Sequence, residues 1–74
     1  MTSPQFRKKV KQLSEFALRD IETAYYDALE AGSGSGHHWI LIGKLSQYGF
    51  RTNSVEEAMN LADEIIITWH QLRS

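Results

Sequence analysis

SPQFRKKVKQLSEFALRDIETAYYDALEA, residues 3–31, is the stretch whose reading decides how this chain folds. Ser3 followed by Pro4 is an N-cap residue with proline at the first helical position, where a missing N–H removes no helical bond. Phe6, Val10, Leu13, Ala17, Ile21, Ala24 and Ala28 then recur at steps of three and four, the period of one helix face. No proline or glycine interrupts them before Gly32. The pattern predicts one helix over residues 4–31. Leu18, Tyr25 and Leu29 add a second stripe in its C-terminal half only, so that half is expected to touch two other elements at once.

Beyond it, Gly32-Ser33-Gly34-Ser35-Gly36 alternates strictly and offers no side chain that packs or carries charge. It reads as a flexible connector. Its regularity suggests an engineered splice, which either replaces a longer loop or joins two segments that were separate chains. Residues 37–48 place Leu41, Leu45 and Tyr48 on one face with Ile42 alongside, and Gly49 stands where a C′ glycine stops a helix. Trp39-Ile40-Leu41-Ile42 would also suit a strand, and Gly43 costs a helix about 1 kcal/mol. A lone strand would have nothing to pair with, so the segment is read as a short helix.

The third helix is expected over residues 55–73. Ser54 and Glu57 form a capping box after the loop Arg51-Thr52-Asn53, and Val55, Ala58, Ala62, Ile65, Trp69 and Leu72 keep the helical period. Glu56 and Glu57 at its start and Arg73 at its end complement the helix dipole. Ile65-Ile66-Ile67-Thr68 is β-branched, but the cap and the long periodicity outweigh it. The expected fold class is all-α: a small three-helix bundle with a long first, a short second and a medium third helix, one domain over residues 1–74, completed by oligomerisation.

The oligomer is expected because the helices do not match in length. At 1.5 Å per residue they measure about 42, 18 and 29 Å, so roughly the first fifteen residues would project and leave an apolar stripe wet. Charge points the same way. Arg7, Lys8, Lys9 and Lys11 crowd the first turns of the expected long helix and Asp20, Glu22, Asp27 and Glu30 its far half, opposing the dipole at both ends. An antiparallel homodimer would bury the stripe and set basic ends beside acidic ones. The expected partner interface is therefore Phe6, Val10, Leu13 and Ala17, with Tyr26 lying off the main stripe.

Composition narrows the classes. With 42 % apolar and 23 % charged residues in 74, the chain should fold, and the absence of cysteine excludes disulfides and thiolate metal sites and suits the cytoplasm. The longest apolar run, Trp39 to Ile42, is far short of the roughly 20 residues of a membrane span, and no signal-peptide core is evident. His37, His38 and His70 do not make a metal site, since helical neighbours point about 100° apart. Leu45 to Ala62 has a helix-turn-helix outline, but Glu56, Glu57, Asp63 and Glu64 would face the phosphates. No nucleophile–base pair or phosphate-cradling loop is present in the sequence, and neither enzymatic activity nor a cofactor is expected. Trp69 and Tyr48 are expected in the core.

These readings lead to a helical protein–protein interaction or regulatory module that associates through its amphipathic first helix, with itself or with another protein. The alternative is a small nucleic-acid-associated protein that uses Arg7, Lys8, Lys9 and Lys11 as a local polyanion contact, because a net charge of −1 supplies no global attraction.

Overall fold

In the computed structural model, residues 3–32 and 36–73 are described, and they form four helices with no strand among them. These are α1 (Pro4–Lys11), α2 (Glu15–Ala31), α3 (His37–Gln47) and α4 (Val55–Arg73). The expected all-helical class holds. The expected three-helix layout does not, because the long first helix is two helices. The expected engineered connector falls largely outside the described residues, which omit residues 33–35.

The break has a local cause at both of its ends. Leu13 donates its N–H to the Val10 carbonyl, a tightened last turn that closes α1. Ser14 then turns extended, at φ −70 and ψ 162, and its Oγ accepts the Ala17 N–H at 3.0 Å. That is an N-cap. Leu13 before the cap and Leu18 four residues into α2 are both buried in the same core, the arrangement of a hydrophobic staple.

Packing supplies the driving force. A straight helix would leave Phe6, Val10 and Leu13 in water, whereas the turn lays α1 along α4, burying Val10 and Leu13 and half-burying Phe6. Fully burying such a side chain contributes roughly 1.5–3 kcal/mol. The helical hydrogen bonds given up at the turn are worth about 1 kcal/mol each, and the Ser14 cap replaces one of them. Burial wins. The Trp69 indole Nε1 donates to the Leu13 carbonyl at 3.3 Å, so a buried bond from α4 satisfies an acceptor that the break exposes.

The remaining helices build one core around α4. Ala17, Leu18, Ile21, Ala24 and Ala28 of α2 meet Leu41 and Leu45 of α3 and Ala58, Ala62, Ile65, Ile66 and Trp69 of α4. The alanines keep the helix axes close. Helix α3 stops as expected: Gly49 has φ +89, its N–H bonds to the Ser46 carbonyl, and the Phe50 N–H bonds to the Leu45 carbonyl at 2.7 Å. These two bonds make a Schellman motif, and Leu45 and Phe50 provide its apolar contact. Ser54 Oγ accepts the Glu57 N–H at 3.1 Å and starts α4 where the capping pattern placed it.

Since α1 is held by burial, Val10→Ala should lower unfolding free energy by about 2 kcal/mol, measured from the urea midpoint at constant slope. On a projecting helix the same change would register only a few tenths.

Candidate interaction surfaces

The expected interface residues separate into two groups. Val10, Leu13 and Ala17 are core residues of this chain, and Phe6 packs edge-on to Phe50 with ring centroids 6.2 Å apart. The stripe on which an interface was expected is thus covered by α4 and the turn after α3. Tyr26 is on the surface, 49 % exposed, with its ring against Tyr25 at 5.3 Å.

The break also changes the electrostatics. Lys8, Lys9 and Lys11 occupy the last turn of α1, and Glu15 the first turn of α2, so both sets complement their own helix dipoles. The expected opposition survives only at the far end of α2, where the last turn has no basic residue. Lys9 is engaged: its Nζ donates to the Gly49 carbonyl at the end of α3 and lies 4.6 Å from the centre of the Phe50 ring. Arg7, Lys8 and Lys11 are exposed and form no ion pair among the described residues. Of the four expected polyanion contacts, three therefore remain available on the outer face of α1.

Tyr48, expected in the core, is half-buried and has a polar task. Its Oη donates to Asp20 Oδ2 at 2.8 Å, and Lys44 Nζ lies 3.2 Å from the same oxygen. The Tyr48 hydrogen bond holds the Asp20 carboxyl below its ordinary pKa, partial burial opposes it, and Lys44 adds to the lowering. The cluster ties α2 to α3. On the opposite flank of α2, Tyr25 Oη donates to Asp63 at 3.4 Å, and partial burial together with the Asp63 charge raises the Tyr25 pKa.

A shallow cavity of about 260 Å³ lies between α2 and α4, lined by Glu15, Arg19, Glu22, Trp69 and His70 among others. Its polar groups pair with one another: Arg19 with Glu15 in an ion pair at 3.1 Å, and the His70 ring Nε2 with the Glu22 carboxylate at 3.4 Å. The volume falls just below the usual range for a small-molecule site, roughly 300–1,000 Å³. Arg73 covers the Trp69 ring at 4.5 Å. Of the histidines, His38 is buried on α3, His37 is exposed beside it, and His70 lies on α4.

Sequence reasoning left one surface unassigned. Among the described residues six large apolar side chains are exposed, and four of them, Tyr26, Leu29, Trp39 and Ile40, lie on the last two turns of α2 and the first turn of α3. Trp39 is 70 % and Ile40 54 % exposed, and a Cβ added at Gly43 one turn on would meet only open space. The other two, Phe16 and Ile67, stand singly among polar neighbours. A signal was present: Trp39 lies about 120–160° around the helix from Leu41 and Leu45, the residues that define the α3 core face.

No protein-family model, curated protein or solved structure matches this chain.

The Asp20 cluster has a pH signature. A carboxyl with a lowered folded pKa stabilises the fold above its unfolded pKa, about 3.9, and that contribution is lost as pH falls through the folded value. Asp20→Asn should therefore have a lower denaturant midpoint than the wild type at pH 7. The difference should close as pH is taken down below about 4.

Proposed function

We propose that this chain is a helical, non-catalytic protein–protein interaction module whose partner surface is the connector end of the α2–α3 hairpin. The observation that carries the reading is that four of the six exposed large apolar side chains among the described residues, Tyr26, Leu29, Trp39 and Ile40, lie on the last two turns of α2 and the first turn of α3. Scattered exposed apolar residues are ordinary, but a group of them at one end marks a contact surface. Its aromatic content suits one as well, since tryptophan and tyrosine are enriched where interfaces concentrate their binding energy. Open space beside Gly43 lets a partner's backbone approach α3 closely.

Three chains passed through the same source-cell lysate test this. The wild type and a Phe16→Ser control should capture a defined partner that Trp39→Glu/Ile40→Glu loses by at least about tenfold, all three keeping the same circular dichroism. Equal capture by all three would contradict the reading.

A second reading has its own observation, the three unpaired cations of α1. In it the outer face of α1 contacts phosphates, and affinity for duplex DNA should fall with a log–log salt slope of about −3 for three contacts. Arg7→Gln/Lys8→Gln/Lys11→Gln should abolish that binding while the chain stays folded, with a loss of stability limited to the roughly 0.3–1 kcal/mol per charge by which Lys8 and Lys11 complement the α1 dipole. No binding of the wild type at low ionic strength would remove this reading.

A further inference from the structure

The break between α1 and α2 is made by one capped turn, with no glycine or proline in it. Gln12 is still helical, at φ −76 and ψ −13, and Ser14 is extended only in ψ. At 100° per residue, Phe6, Val10, Leu13, Ala17, Ile21 and Ala24 would share an arc of about 80° on a continuous helix, so the sequence fits the unbroken form as well. Among the helices α1 packs only on α4, and its other contacts, Phe6 on Phe50 and Lys9 on Gly49, go to the turn after α3. Everything that holds α1 therefore lies on a body from which a single hinge separates it.

From this we infer that the chain exchanges α1 between two copies: the hinge straightens, α1 and α2 become one helix, and each α1 seats on α4 of the partner subunit. The occupant of the α4 groove is then a second copy's α1, whose contacts with α4 and with the turn after α3 are remade between chains, while the Leu13 carbonyl passes from the Trp69 indole to the Ala17 N–H of the continuous helix. Straightening returns the N–H groups of Ser14, Glu15, Phe16 and Ala17 to helical hydrogen bonds, at the loss of the Ser14 cap. Charge favours the encounter, because α1 carries four of the eight basic residues and no acidic one, leaving nine acidic and four basic residues on the remainder. The proposal rests on the reading of the chain as an interaction module but uses a different surface from Trp39 and Ile40.

Two hinge variants test it, refolded at high concentration and then measured by sedimentation equilibrium. Ser14→Ala removes the cap that only the broken form uses, and should tighten dimerisation by about tenfold or more. Glu15→Pro suits the broken form, since it occupies the first helical position after an extended residue, and it bars the continuous helix. It should abolish the dimer while keeping the monomer's circular dichroism and its Trp39-dependent partner capture. A Ser14→Ala chain that stays monomeric at millimolar concentration would overturn the proposal, and so would a folded Glu15→Pro chain that dimerises like the wild type. A Trp39→Glu chain should dimerise unchanged, so loss of partner capture and loss of exchange are separable failures.

Discussion

The turn at Gln12-Leu13-Ser14 is the constraint on which the rest of this structure depends. Because the chain bends there, Val10 and Leu13 enter the core, α4 gains α1 as a cover besides α2 and α3, and the Trp69 indole finds its acceptor. The same turn places three lysines at a helix C-terminus and Glu15 at a helix N-terminus. Two features that would be costly on one long helix, a wet stripe and reversed charges, thereby become ordinary on two short ones.

Most of the helical design was legible in the sequence because its signals are local. Pro4 after Ser3, Gly49 and Ser54 each act through one or two hydrogen bonds within a few residues, and each stands at a helix boundary in the structure. The break at Ser14 was not legible, for two physical reasons. Its cap lacks the glutamate three residues on that marks a capping box, since Ala17 stands there, and the apolar period runs through the turn without losing phase. What decides between straight and broken is the burial of α1 on α4, a contact between residues about sixty apart in sequence that no local pattern records.

The candidate surface was legible in part for a related reason. Tyr26 lies off the main stripe of its helix and is exposed, as its position suggested. Trp39 and Ile40 were read for their β-propensity when their angular distance from Leu41 and Leu45 was the more telling property. In the basic cluster, sequence alone gives four equal cations. The structure divides them, because Lys9 reaches the carbonyl of a glycine forty residues away while Arg7, Lys8 and Lys11 face solvent.

A distance across the turn tests the central claim most directly. With no native cysteine, spin labels at Gln5→Cys and Glu30→Cys report on one pair only, and both positions are exposed. Pulsed electron paramagnetic resonance on the monomer, diluted to exclude exchange, should give a backbone separation, once label length is allowed for, inside the 33 Å long dimension of the molecule. A single continuous helix would set the two positions about 38 Å apart, and a distribution centred there would contradict the account.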